Sequence, residues 1–347
     1  LAQDLPLVSV VIACRNEARW IGETLRCALG QTHAALDVVV VDDGSTDGTP
    51  EIVASFGDPR LRLIRGRPAG ACAARNVGLR EARGSLIQML DGDDLMAADK
   101  IERQVERWRR DGDRHVYFGP YASFAHDPDQ AIQEPKPNWA DMSGHAWLVS
   151  CWRHGGMMAP HSWLTPRALV DAAGPWNEKL LQNQDGEWFS RVLLASDGVR
   201  YCPDALSHYR IGVKPSISRR DDHAARLSRY DATRLMATRL LAAPEADDET
   251  RAACAAAFEE LMFVTWVRYP DLAARARKHL LACGGADPRM PYRGELFRRA
   301  RRLVGWRLAC RIQHLFSALQ AWLADDAPPV PDTHAKILAP NFRNDDS

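Results

Sequence analysis

The feature that most constrains this sequence is a series of short, almost unbroken apolar runs at residues 7–13, 37–41, 60–64 and 85–90. Between them lie stretches with helical spacing. Residues 17–29 carry Trp20, Ile21, Thr24, Leu25 and Leu29, and further helices are expected after Pro50, over 71–82 and over 98–110. A strand buried on both faces shows no apolar/polar alternation, and the run Val8-Ser9-Val10-Val11-Ile12 fits that description. Strand and helix in regular succession, joined by short links, predict an α/β chain built on one mainly parallel sheet flanked by helices. In such sheets ligands bind at the carboxyl ends of the strands. Three polar clusters fall there: Arg15-Asn16-Glu17, Asp42-Asp43-Gly44 and Asp91-Gly92-Asp93-Asp94.

The pattern breaks over 127–156, where Pro, Trp, His and Gly accumulate. A strand is expected over 157–164, helices over 166–173 and 185–195, and a last strand over 206–211. The remainder reads as helical, over 222–242, 246–266, 270–283, 293–304 and 306–324, ending at Pro328-Pro329-Val330-Pro331. We therefore expect a catalytic domain over 1–221, with a donor half at about 7–123 and an acceptor half at about 124–221. A helical extension over 222–326 and a flexible tail over 327–347 follow. Thr49 is the expected cap of the helix entered at Pro50.

The 347 residues balance 45 Lys plus Arg against 45 Asp plus Glu, which gives no electrostatic bias towards nucleic acid. The 8 Cys form no CxxC pair and fit no zinc module, so they read as reduced, partly buried residues. No signal peptide is visible and no window reaches transmembrane length, which makes the cytoplasm the default location.

Several carboxylates crowded at one sheet edge repel each other, and a divalent cation removes that cost. Oxygen ligands with few His or Cys favour Mg2+ or Mn2+, which usually take their remaining ligands from phosphates and water. Asp91 and Asp93 are the candidate metal ligands, with Gly92 allowing close backbone approach. Asp42 can accept from a base N–H or a ribose hydroxyl. Each acidic cluster also has a plain reading as a turn leading into a helix. Arg75, in the small-residue stretch 70–78, clamps phosphate, braces the acidic cluster or makes a structural ion pair. The first strand is followed by Cys14-Arg15-Asn16-Glu17 and not by GxGxxG, which argues against a dinucleotide fold. No GxxxxGK[ST] is present, which argues against a P-loop enzyme. The alternatives carried forward are a sugar nucleotidyltransferase and a noncatalytic carbohydrate-binding module.

Four segments in this order resemble the family 2 inverting glycosyltransferases with a GT-A fold: Val10 to Glu17, Val41 to Thr49, Gly70 to Gly78 and Leu90 to Asp94. The resemblance covers roughly residues 7–211. It implies transfer of a sugar, with inversion, from a nucleotide-diphosphate donor to a hydroxyl of a glycan or lipid-linked acceptor in surface polysaccharide or lipopolysaccharide synthesis. It places Ala13, Arg15, Glu17, Asp42 and Asp43 at the nucleoside, and Arg75 as the family arginine. It makes Asp93 the principal metal contact beside Asp91, with Asp94 orienting metal-bound water. Asp185 matches the catalytic base, although Gln184 stands where the family usually has Glu, and Glu187 competes by position. After the last strand, His208, Arg210 and Lys214 are the residues expected near the diphosphate or its metal, His208 ranking first. His161, Glu187 and Trp188 are assigned to the acceptor site or its surroundings, with Trp139, Trp147, Trp152 and Trp163 as candidate sugar platforms.

In the last third, Arg298, Arg299, Arg301, Arg302, Arg307 and Arg311 interleave with apolar residues. Such a surface suits peripheral contact with anionic lipid. Packing on the catalytic domain and dimerisation explain it equally well.

Overall fold

The computed structural model describes residues 5–156, 159–212, 220–286 and 308. They divide into two compact units, Leu1–Trp147 with Met157–Val213 and Leu148–Gly156 with Lys214–Ser347.

The first unit opens with β1 (Val8–Cys14), α1 (Ile21–Leu29), β2 (Leu36–Asp42), α2 (Thr49–Ala54), β3 (Leu61–Arg65), α3 (Ala71–Glu81) and β4 (Leu86–Asp91). The short β5 (Leu95–Met96) precedes α4 (Lys100–Asp111), β6 (Val116–Phe118), β7 (Tyr121–Phe124) and β8 (Ile132–Gln133). After α5 (Gly144–His154) come β9 (Trp163–Pro166), α6 (Arg167–Ala173), α7 (Gln184–Ala195), β10 (Val199–Tyr201) and β11 (Ser207–Arg210).

Seven strands form the main sheet in the order β10-β6-β9-β4-β1-β2-β3. β1 pairs in parallel with β2 and β4, which explains why all three are buried runs without alternation. β9 runs antiparallel between β4 and β6. The remaining four strands, β5-β11-β7-β8, form a separate small sheet. The expected single, mainly parallel GT-A sheet is therefore corrected to two sheets. The last strand, expected as part of the main sheet, belongs to the second. Its neighbours β5 and β8 are two residues each, too short to leave a periodic signal in sequence.

Packing explains the small residues of α3. A Cβ on Gly78 would lie 2.3 Å from Cγ1 of Val11, so only glycine lets this helix close onto β1. The expected cap of α2 is also corrected: Gly48 occupies the N-cap and Thr49 is already helical. Thr49 is drawn into the helix because Asp47 accepts from its backbone N–H at 3.0 Å, while its hydroxyl accepts from the Glu17 N–H at 2.8 Å.

In the second unit, α8 (His223–Ala242), α9 (Asp248–Thr265) and α10 (Pro270–Ala282) pack around Met236, Phe258, Met262, Leu272 and Leu280. Asp222 caps α8 and Asp247 forms a capping box with Thr250. Apart from Leu308, the helices expected over 293–304 and 306–324, with their arginines, lie outside the described residues, as do Lys214 and the tail. All seven described cysteines are free. Among the described residues no helix is long and apolar enough to cross a membrane.

Candidate active site

Strand register brings the acidic clusters together. Cys14 at the end of β1 pairs with Asp42 of β2, and Ala13 pairs with Asp91 of β4. Asp42 and Asp91 thus stand one strand to either side of the end of β1, with neighbouring strands about 4.8 Å apart. The first two loops are tied to each other. The Asn16 side chain accepts from Thr46 N–H at 2.8 Å, and Asp47 accepts from Ala18 N–H at 3.1 Å. Asn16 itself sits at a φ of 57°, a left-handed conformation that Asn tolerates better than most residues.

Within this edge the carboxylates have different duties. Asp42 is buried and accepts from Ser45 N–H. Asp43 is buried with both oxygens engaged by the Ala69 and Gly70 N–H groups at 2.7 and 2.9 Å, so it shapes the loop that enters α3. Ala13 and Glu17 are partly exposed and Arg15 is exposed at the mouth of this edge. Burial, followed by the charges of Asp91, Asp47 and Asp94, pushes Glu17 up to about 7. Gly92 lies against Cys14 and Glu17, where a Cβ would approach to 3.1 and 3.2 Å.

Arg75 is the buried centre of the arrangement. Its Nη2 donates to Asp91 Oδ1 at 2.7 Å, and its Nη1 lies 3.1 Å from Asp185 Oδ1. It also lies over the Trp176 ring, 4.6 Å from the centroid. Of the roles open to this arginine, bracing the acidic residues is the one the structure displays. Asp185 enters from the first turn of α7, after Asn183 in a left-handed conformation. Burial raises its carboxyl to about 6. Asp91 and Asp94 add to that shift, and Arg75 and His161 oppose it.

The 91–94 turn is held from three sides. Thr24 donates its hydroxyl to the carbonyls of Gly92 and Asp94 at 2.9 and 3.1 Å. Arg210, almost wholly buried between the rings of Trp20 and Phe124, donates to the Asp93 carbonyl at 2.8 Å and to Glu23 at 2.6 Å. Its backbone N–H reaches Asp94 Oδ1 at 2.8 Å. The other oxygen of Asp94 meets His161 Nδ1 at 2.8 Å, with neither side chain exposed. The main chain at His161 is itself fixed, because its carbonyl accepts from Gln88 Nε2 and Ser207 Oγ. Asp93 is left half-buried beside Asp94, Asp91 and Glu17, and burial and these charges raise its pKa. A carboxylate crowded in this way gains from a divalent cation, so the oxygen donors of Asp93 and Asp91 fit Mg2+ or Mn2+. Among the described residues no three His, Cys, Asp or Glu side chains form a metal cage by themselves.

Some expected site residues lie elsewhere. Glu187 is buried and pairs with Arg191 at 3.0 Å, and Arg191 donates to the carbonyls of Ala173 and Pro175. The indole of Trp188 donates to the Gly174 carbonyl at 2.9 Å and stacks on Trp176 at 4.6 Å. Both residues hold the corner beneath Arg75, which removes Glu187 as a rival base. His208 faces Phe124 across the small sheet, with its pKa lowered by burial and by His161. No contact joins it to Asp91 or Asp93 among the described residues. Trp147 and Trp163 are core residues at 0% and 1% exposure, which rules them out as surface platforms. Sequence reasoning missed Tyr209, whose ring stacks on His161 at 5.9 Å, and Trp176 under Arg75. Strand alternation would have found Tyr209, since it must face opposite to His208 and Arg210.

Residues 9–167 match Glycosyl transferase family 2. The chain is similar to the succinoglycan biosynthesis protein ExoO of Rhizobium meliloti, 44% identical over 104 residues, which are 30% of each chain. It is also similar to the putative teichuronic acid biosynthesis glycosyltransferase TuaG of Bacillus subtilis, 38% identical over 104 residues, 29% of this chain and 41% of that one. The putative glycosyltransferase EpsH of Bacillus subtilis is 26% identical over 225 residues, 62% of this chain and 64% of that one. The matches span less than two thirds of these relatives. They support enzymatic sugar transfer.

Among solved structures, TarS 1–349 of S. aureus in complex with UDP-GlcNAc aligns with a TM-score of 0.62 at 16% identity, over 89% of this chain and 92% of that chain. The complex with UDP gives 0.59 at 17% identity, over 80% and 88%. At these identities the likeness speaks for fold alone. The resemblance read from the sequence is corrected accordingly. Residues 9–167 match the family 2 model, whereas the GT-A label gives way to the two-sheet arrangement and the TarS likeness.

Proposed function

We propose that this chain is an inverting glycosyltransferase that moves a sugar from a nucleotide-diphosphate donor to a hydroxyl of a glycan or lipid-linked glycan, in surface polysaccharide synthesis. One observation carries the reading. A single buried arginine, Arg75, bridges Asp91 at the candidate metal edge to Asp185, the candidate base, so donor and acceptor chemistry are held in one frame. The names of ExoO and TuaG, a succinoglycan and a teichuronic acid protein, support the polysaccharide class.

In this reading Ala13, Glu17 and Asp42 line the nucleoside end. Asp93 and Asp91 would hold Mg2+ or Mn2+, which supplies Lewis-acid neutralisation of the leaving diphosphate. Asp185 accepts the proton of the acceptor hydroxyl as it attacks the anomeric carbon. A base whose pKa lies near neutrality suits that task, and such catalysis is worth ~10²–10⁴-fold. Arg75 keeps Asp185 oriented, and attack from the face opposite the leaving group inverts the anomeric centre. Positioning of the two substrates supplies much of the remaining acceleration.

The test is an acceptor screen with UDP-, GDP- and dTDP-sugars and Mn2+, read by mass spectrometry of the glycan product. A product of inverted anomeric configuration, absent with Asp185→Ala, supports the proposal. A retained configuration, or a product formed equally well by that variant, contradicts it.

A further inference from the structure

Tyr209 combines a fixed ring with a hydroxyl that has no partner among the described residues. It sits in β11, between His208 and Arg210, and strand alternation turns it away from both. Its ring lies on the buried imidazole of His161 at 5.9 Å and 23°. That imidazole lies 2.8 Å from one oxygen of Asp94, and the N–H of Arg210, the next residue along, donates to the other at 2.8 Å. Two independent contacts to one carboxylate therefore lock the position of the Tyr209 ring relative to the 91–94 turn.

The tyrosine is only partly buried, unlike the histidine behind it. Its hydroxyl makes no hydrogen bond among the described residues. Burial and the charges of Asp94, Asp93, Asp91 and Asp185 hold the phenol in its protonated, donating form. A half-buried hydroxyl donor beside the 91–94 turn, with no hydrogen-bond partner among the described residues, is suited to a ligand rich in acceptors. Phosphate oxygens are acceptors only, and the metal edge at Asp91 and Asp93 is where a diphosphate would lie.

The geometry points to Tyr209 as a binding residue for the diphosphate of the donor, donating its hydroxyl to a phosphate oxygen on the side opposite the metal edge. This rests on the transferase reading, and goes beyond it by assigning the leaving group a neutral donor from the small sheet.

The experiment compares wild type with Tyr209→Phe, which keeps the ring on His161 and removes only the hydroxyl. Affinities for UDP, GDP and dTDP, and for UMP, GMP and dTMP, are measured by calorimetry with Mn2+, and melting temperature is recorded alongside. A hydrogen bond to a charged group predicts a loss of about ten- to a hundredfold for the diphosphate that wild type binds. The monophosphate affinity and the melting temperature should stay unchanged. Equal diphosphate affinity in the two proteins overturns the assignment, as does an equal loss for mono- and diphosphate. If wild type bound none of these nucleotides, the transferase reading itself would fall first, and this inference with it.

Discussion

Arg75 and Asp185 meet at 3.1 Å without the alignment of a hydrogen bond, while the same guanidinium makes a well-formed bond to Asp91. In the proposed mechanism this leaves the Asp185 oxygen charge-stabilised and free of a hydrogen bond that would compete for the acceptor's proton. Lysine has one point of charge and cannot span two carboxylates as a planar fork does. Arg75→Lys should therefore lower kcat by about 10²-fold through misplacement of Asp185. Steady-state kinetics check this, and a change confined to KM would count against the bracing role.

Under the proposed mechanism Asp185 sets the pH dependence. Its carboxyl is raised to about 6, chiefly by burial. A general base acts when ionised, so turnover should be full above that value and decline as pH falls through it. The acid limb of a kcat–pH profile between pH 5 and 8 measures this. A flat profile across that range would show that Asp185 does not carry the proton.

The Asp94–His161 pair is completely buried, so its two members depend on each other. Removing the imidazole leaves a buried carboxyl oxygen of Asp94 without its neighbour, a loss worth about 1–3 kcal/mol. His161→Phe should lose stability on that scale in urea unfolding. A loss well under 1 kcal/mol would mean that the carboxylate is readily satisfied some other way.

Gly78 offers a test of the scaffold alone. Its missing Cβ would collide with Val11 at 2.3 Å, and both atoms belong to packed elements. Gly78→Ala should cost about 1–3 kcal/mol through overpacking. Thermal melts read the effect directly, and an unchanged melting temperature would show that α3 moves away from β1 with little resistance.

Much of the fold was legible because buried parallel strands leave an unmistakable mark. The runs that became β1, β2 and β4 contain Val8-Ser9-Val10-Val11, Val38-Val39-Val40-Val41 and Leu86-Ile87. Their acidic ends could be located because a parallel sheet aligns strand termini. The second sheet was not legible, since β5 and β8 hold two residues each and β11 needs those partners to declare itself. Residue roles divided in the same way. Asp91, Asp185 and Arg75, singled out from sequence, do meet in the structure, because the end of β4 and the first turn of α7 converge on one guanidinium. Glu187 and Trp188 were misassigned, because on a helix they are neighbours of Asp185 in sequence but point to the Gly174–Trp176 corner. His208 was ranked ahead of Arg210 and Lys214, yet it faces Phe124, while Arg210 is the one that holds the 91–94 turn.

The central claim is that the carboxylate edge binds a nucleotide-diphosphate sugar through a divalent cation. Calorimetric titration with UDP-, GDP- and dTDP-sugars, with and without Mn2+, tests it most directly in wild type and Asp93→Ala. Tight binding of one donor is expected only when the metal is present, with loss of that binding in the variant while the melting temperature holds. Binding that ignores both the metal and Asp93, or no binding by folded wild-type protein, would contradict it.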